Sequence, residues 1–405
     1  MVIDETSRGR RVLTGSRVSG LPKCKAALLS GRQARANYMV LLLLALHTGC
    51  RNRDSSTPAG SEPVTKAVGG SVRIAIEPDL LVVGPDSAKP EDEFVDVRGV
   101  FQLADGRIGV ADAGVPAVYI LSAAGQVEVV VGRQGSGPGE FREPRLLGVQ
   151  PGDTLVVYDA PLRRVTQFAG SGALVRTVSL PAPVSGATQA VGLMPGNALL
   201  VKRSVYPQHA ESGGLLAVEA VYLRINTDGR IDTIARIPDG PRHPRGFLFF
   251  GWQSAAASTD SSVWIGRGDV AAVKEIYLDG ALIKEGRWAA RSRRVSELDR
   301  LAMRKVAELR KAPVAVTSVE RFADSIPLFG RLLPDASGGV WVIAYEAPFA
   351  SADSAWLIGA AGSEAIAVRL PDRFRPTQIG KEFIIGVQFR AEDDAPQVAR
   401  FRLER

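Results

Sequence analysis

GRQGSGPGEFREP, residues 132–144, sets four glycines and Pro138 between two apolar runs, QVEVVV before it and LLGVQ after it. A stretch this rich in glycine either cradles a phosphate or turns a corner. A phosphate loop ends in Lys-Ser/Thr and opens a helix, and the dinucleotide fingerprint spaces its glycines G-x-G-x-x-G. Residues 132–144 have neither the ending nor the spacing, and they run on into a strand pattern rather than a helix. They read as the corner between the last strand of one β unit and the first strand of the next. Phe141 is expected to plug the gap between the two units.

Working outward, the same unit recurs. RGVFQLADGRIGVADAGVPAVYILSAAGQVEVVVG (98–132) holds four strand-like runs, with turns at Asp105-Gly106 and Ala124-Gly125. Such residue pairs tolerate the positive φ that tight hairpins require. Residues 146–180 repeat the pattern, with Pro151-Gly152 and 170–172 at the same turns. Further copies occupy 190–238 (with an insertion), 254–288 and 329–371, while the last, 376–405, has only three runs. Uninterrupted copies recur at about 43–46 residues, the period of four-stranded propeller blades. An open sheet of so many strands would leave long edges, whereas radial repetition leaves only short ones. The orphan β run at 69–84 supplies the strand that the sixth copy lacks. The expected fold is therefore all-β: a six-bladed β-propeller of four-stranded blades spanning 69–405, closed by the N-terminal strand.

Two stretches carry a family resemblance. VYDAPLRRVTQF (157–168) and GSGPGEFREP (135–144) resemble NHL repeats, with their V-x-D…RV-x-x-F core and G-x-G-P-G-x-F…P joining loop. The match is strong in the first two blades and decays afterwards. From residue 70 the chain is similar to bacterial NHL-like six-bladed propeller lipoproteins, a family largely of unknown function. The resemblance implies fold and cell-envelope location better than it implies chemistry.

The N-terminus points to the same location. Residues 1–49 hold eight Lys/Arg against Asp4 and Glu5, so six of the seven net positive charges sit there. The rest of the chain is near neutral, which argues against a nucleic-acid surface. The basic leader precedes MVLLLLALHTGC (39–50), whose apolar run is too short to span a bilayer and has the parts of a secretory signal. Gly49-Cys50 resembles a bacterial lipoprotein cleavage site, with His47 where that family has leucine. The resemblance implies lipidation of Cys50, export, and a membrane partner through the lipid. Residues 50–68 are polar and Ser/Pro-rich and read as a flexible tether. With Cys24 lost in the leader, no disulfide pair remains between the two cysteines.

In an antiparallel blade the 1–2 and 3–4 turns leave one face, and the 2–3 loops and the crossovers leave the other. Here the first set is uniformly tight, and the second carries every long segment: 206–216, 239–252, 289–328 and 347–352. The longest contains SELDRLAMRKVAELRKAP (296–313), with Leu298, Leu301, Ala302, Val306 and Leu309 at helical spacing. Ser296 is placed to N-cap, Asp299 sits at N3, and Pro313 stops the helix. Its apolar stripe is expected to pack on the propeller.

Repeat proteins concentrate insertions on their binding face. The expected site is therefore the channel mouth on the crossover side, at Asp112, Asp159, Arg203, Arg267 and Glu346, with Tyr345 and Trp252 nearby. Mixed charges there suit a polar ligand held by charge-assisted hydrogen bonds; solvated loop charges and turn-bracing aspartates are the plainer account of each one alone. Of three histidines, His209 and His243 lie in crossover-face insertions, outside any ligand-spaced motif. No G-x-S-x-G elbow occurs. The reading that fits is a monomeric, non-catalytic module for a polar small molecule or a protein, with no nucleic acid and no cofactor firmly implied. The alternative is a metal-dependent lyase or lactonase-like hydrolase with calcium or zinc at the mouth.

Overall fold

The computed structural model describes residues 72–85, 93–180, 188–207, 215–243, 248–309, 321–347, 352–362 and 364–405. The leader, Cys50, the tether, His209 and Pro313 lie outside the described residues. Two short strands come first, β1 (Arg73–Ile74) and β2 (Leu80–Val82). Blade 1 follows as β3 (Val97–Gln102), β4 (Ile108–Asp112), β5 (Ala117–Leu121) and β6 (Val127–Val131). Blade 2 is β7 (Pro144–Gln150), β8 (Thr154–Asp159), β9 (Arg164–Phe168) and β10 (Leu174–Ser179). Blade 3 is β11 (Thr188–Met194), β12 (Ala198–Val205), β13 (Leu216–Ile225) and β14 (Ile231–Arg242). Blade 4 is β15 (Ser254–Ser258), β16 (Val263–Arg267), β17 (Ala272–Ile276) and β18 (Leu282–Arg287). Helix α1 (Glu297–Leu309) then precedes blade 5: β19 (Phe329–Pro334), β20 (Val340–Ala344), β21 (Ser354–Ile358) and β22 (Ala365–Arg369). The chain ends in β23 (Phe374–Ile379), β24 (Phe383–Phe389) and β25 (Pro396–Glu404).

Five blades are consecutive four-stranded antiparallel sheets. The sixth takes β23, β24 and β25 from the C-terminus and its outermost strand, in two pieces, from the N-terminus. Arg73 and Ile74 pair with Glu404 and Leu403, and 80–82 pair with 398–400. The first strands β3, β7, β11, β15, β19 and β23 neighbour one another in that order, and β23 returns to β3. The ring is six-bladed and closed.

Packing follows from this arrangement. The apolar residues form one wedge in each gap between blades rather than a single core. The wedge between blades 1 and 2 gathers Ala111, Val118 and Ile120 with Leu146, Leu155 and Val157. Phe141 sits in it fully buried, as the sequence predicts, 6.0 Å from Phe168. Gly132, at φ 84°, lies under that ring, where a Cβ would come within 2.5 Å of it. Within residues 132–144 the amides of Ser136 and Gly137 donate to Glu140 Oε2 at 3.0 and 2.8 Å, so a side-chain carboxylate occupies the place a phosphate would take. These bonds and Arg133 hold the Glu140 carboxyl below the usual range. Arg164 clamps the loop's carbonyls at Ser136 and Gly137.

The seam between blades 6 and 1 joins Ile385, Val387 and Val398 to Val100, Ile108 and Val110, with Val82 and Phe94 buried among them. Polar ties reinforce it. Arg390 forms a bidentate pair with Glu93 (2.7 and 2.9 Å), and Arg400 holds Asp79 at 2.9 Å. On the inner strands Thr377 Oγ1 donates to the Val100 carbonyl at 2.6 Å.

Helix α1 carries the expected capping box. Ser296 Oγ accepts from the Asp299 amide at 3.2 Å, and Asp299 Oδ2 accepts from the Ser296 amide at 2.8 Å. Its packing face differs from expectation. Leu298 and Leu301 are 78% and 59% exposed. Met303 instead joins Phe250, Val295, Phe322 and Ile326 in a small cap cluster. Arg293 grips Asp299 through both oxygens and Arg300 lies over Phe322, so the helix is turned with those side chains toward the cap.

Deleting 72–84 removes the outer strand of blade 6 and part of the seam. The shortened chain is expected to lose its cooperative thermal transition, followed by circular dichroism. A retained cooperative transition near the full chain's midpoint would refute closure by this segment.

Candidate functional site at the channel mouth

Asp112 and Asp159 end the second strands of blades 1 and 2, buried at 1% and 0% exposure. Asp112 accepts from the amides of Val95 (2.8 Å), Asp96 (3.0 Å) and Gly114 (2.7 Å). Asp159 accepts from Arg142 (2.7 Å), Glu143 (3.3 Å) and Leu162 (3.2 Å). Both carboxylates thus tie the incoming crossover to their blade's 2–3 loop, and their oxygens are committed to backbone donors.

Blade 4 has Arg267 at the equivalent place, so its first strand needs another acceptor. Asp239, in β14 of the preceding blade, supplies it, taking the Ser254 amide at 2.9 Å and the Ser254 hydroxyl at 2.7 Å. Lys202 Nζ reaches Asp239 Oδ1 at 2.5 Å and the Ser254 carbonyl at 2.9 Å. Ser204 and Tyr222 complete this buried network, the latter through Ser254 Oγ at 2.9 Å. Burial pushes the Lys202 ammonium below its ordinary pKa against the opposing pull of Asp239, and burial lifts the Tyr222 hydroxyl far above its own.

Arg267, relieved of the bracing role, chelates Asp269 at 3.1 and 2.7 Å and lies 4.6 Å from the Trp252 ring centroid. The sequence-predicted pair Arg267 and Trp252 is therefore in contact. Tyr345 belongs to the cap cluster, 6.4 Å from Phe250, and burial raises its pKa. The cap itself joins two crossover insertions: Phe249 exchanges backbone hydrogen bonds with Arg321 and Ala323. Arg203 is half-buried, paired across its strand with Thr188 and Val221, and has no hydrogen bond or ion pair with another predicted site residue among the described residues. The predicted residues thus form separate small groups rather than one constellation.

Glu346 leads to residues the sequence reading did not single out. Its two oxygens accept from Arg331 Nη2 (2.6 Å) and Arg375 Nε (2.9 Å), on the first strands of blades 5 and 6. Equivalent first-strand positions in blades 1 and 2 carry Arg98 and Arg145. Arg98 pairs with Glu143 at 2.8 Å and Asp96 at 2.9 Å. Arg145 is half-buried opposite Tyr158, and it has no hydrogen bond or ion pair among the described residues. Burial lowers its pKa, and the charges of Arg331 and Arg98 lower it further. Blades 2 and 5 stand opposite one another in a six-membered ring, so Arg145 and Arg331 come from opposite sides of the channel, near enough for the Arg331 charge to act on Arg145. Gln189 and Ala255 fill the position in blades 3 and 4. β-Bulges in five of the six first strands (all but β15) accompany this layer, and bulges re-aim side chains. A signal was available in sequence: arginine stands at or beside the second residue of the first strand in four of six repeats.

Among the described residues no three His, Cys, Asp or Glu side chains gather as a group able to hold a metal ion, and no helix is long and apolar enough to cross a membrane.

No protein-family model matches the chain, and no curated protein matches it significantly. Similar solved structures include a DUF4221-family member from Bacteroides vulgatus, at 11% identity and TM-score 0.50, covering 82% of this chain and 99% of that one. A protein inferred to be exported from Bacteroides fragilis matches at 10% identity and TM-score 0.47, covering 82% and 95%. Virginiamycin B lyase from Staphylococcus aureus matches at 12% identity and TM-score 0.41, covering 77% and 95%. At these identities the likeness is one of fold alone.

Substituting one partner of a buried pair strands the other charge, at a cost of about 3–5 kcal/mol. Lys202→Met is expected to lose that much in urea denaturation. Lys202→Met/Asp239→Asn should recover part of it, because no buried charge remains. Equal stability of Lys202→Met and the unaltered chain would contradict the bracing role.

Proposed function

We propose that the chain is an exported, lipid-anchored NHL-like propeller that binds a polar ligand at its crossover-side channel mouth without catalysing a reaction. One observation carries this reading: the long insertions gather on one face, around the Arg267–Trp252 and Arg331–Glu346–Arg375 groups, while the opposite face is closed by tight turns. Trp252 under Arg267, Glu346 between two arginines, and the cap around Tyr345 all belong to loops or first strands on that side. The aspartates that looked like ligand groups in the sequence are used as braces, so ligand contacts fall to the arginines, Trp252 and the cap rim.

The basic leader, the short apolar run and Gly49-Cys50 support export and anchoring through Cys50. A tether of the composition of residues 50–68 suits a domain held near a membrane surface. The near-neutral remainder of the chain supports a ligand other than nucleic acid.

The test pairs location with binding. In cells, the full chain is expected in the membrane fraction and Cys50→Ser in the soluble exported fraction. In a thermal-shift screen of polar metabolites and peptides, a stabilising ligand should lose its effect in Glu346→Gln or Trp252→Ala. Lys381→Gln, on the opposite face, should leave it intact. Stoichiometric calcium or zinc whose removal by chelator abolishes a turnover would overturn the non-catalytic reading. Ligands insensitive to every mouth variant would overturn the placement of the site.

A further inference from the structure

The four first-strand arginines occupy consecutive blades around the ring: Arg331 in blade 5, Arg375 in blade 6, Arg98 in blade 1 and Arg145 in blade 2. Three carboxylates answer them. Glu346 is shared by Arg331 and Arg375, while Glu143 and Asp96 both serve Arg98. One positive charge remains over, and it sits on Arg145, which feels the charges of Arg98 and Arg331 and has no anionic partner among the described residues. A half-buried guanidinium surrounded by like charge is costly unless an anion joins it. Its fork of donors suits the paired oxygens of a carboxylate or phosphate.

We propose that the channel mouth is an anion site, in which Arg145 grips a carboxylate or phosphate group of the ligand with Arg98 and Arg331 beside it. This deepens the binding function proposed above and rests on it. Glu346 then acts as a positioning residue: together with the Pro376 carbonyl of blade 6, which accepts from Arg331 Nη1 at 3.0 Å, it fixes Arg331 beside Arg375. The blades without arginine, 3 and 4, present Gln189 and Ala255, so the uncharged remainder of a ligand lies on that side, toward the Trp252–Arg267 pair of the crossover loop. The shared chemistry is a compact oxyanion on an otherwise polar molecule.

The test titrates inorganic phosphate and, separately, succinate into the purified full chain by calorimetry. One saturable site is expected for at least one of them, phosphate binding marking a phosphorylated ligand and succinate a carboxylate. Arg145→Gln should weaken binding about tenfold or more, Arg145→Lys should restore part of it, and added chloride salt should weaken it in the unaltered chain. Thermal midpoints guard against a merely unfolded variant. Without anion, Arg145→Gln should melt no lower than the unaltered chain, since it removes repulsion, yet it should lose the anion-dependent rise. Failure of both anions to bind, or equal binding to Arg145→Gln, overturns the anion site. If the screen described above then still yields a neutral or cationic ligand sensitive to Glu346→Gln or Trp252→Ala, the mouth binds and only the anion assignment has failed.

Discussion

Closure of the ring through β25 is the constraint on which the rest depends. Each blade buries its faces only against its neighbours, so an open ring would split the wedge at the seam and expose both of its halves. The C-terminal residues 398–404 are paired on one side with β24 and on the other with two short N-terminal strands. The strands are short, and a few antiparallel pairs contribute modestly on their own. What makes the seam effective is that Val82 and Phe94 enter the apolar wedge between blades 6 and 1 while Arg390–Glu93 and Arg400–Asp79 lie around it. Sequence ends far apart are thereby made neighbours, and the six first strands are held around one axis.

That geometry also explains why charge collects where it does. First strands approach closely: a Cβ on Gly99, at φ 137°, would lie 2.4 Å from the Leu146 carbonyl of the next blade. Side chains turned inward at such spacing share one small volume, so four arginines from four blades act as one electrostatic unit. The mouth's carboxylates divide into two kinds. Asp112, Asp159 and Asp239 are buried and bound to backbone amides, and they fix the loops. Glu346, Glu143 and Asp96 pair with arginines and tune the charge of the mouth. The exchange in blade 4 shows the two kinds are linked: with arginine at the bracing position, the brace moves to Asp239 and brings the buried Lys202 with it.

Much of the architecture was legible in the sequence because it rests on local signals. Glycines at 106, 125, 152 and 172 adopt positive φ at the tight turns where the pattern places them, and Phe141 fills its gap. The missing fourth strand of the last repeat could be found by counting. The site was less legible for two physical reasons. Strand-end aspartates look alike whether they hold a ligand or a backbone, and only burial with amide partners separates the two. Channel-facing residues sit within first strands, where bulges shift the register and hide the common arginine from a reading based on loops. In α1 the spacing marked Leu298 and Leu301 as inward, but the Arg293–Asp299 pair and the Arg300–Phe322 contact turn the helix the other way.

A closed ring and an anion-binding mouth are both reached by one observation. It is a crystal structure of the full chain grown with phosphate or succinate. Six blades with β2 paired to β25, and an anion on the axis held by Arg145, are expected. This would be contradicted by a ring closed without the N-terminal segment, or by Arg145 paired with a protein carboxylate while the mouth binds no anion.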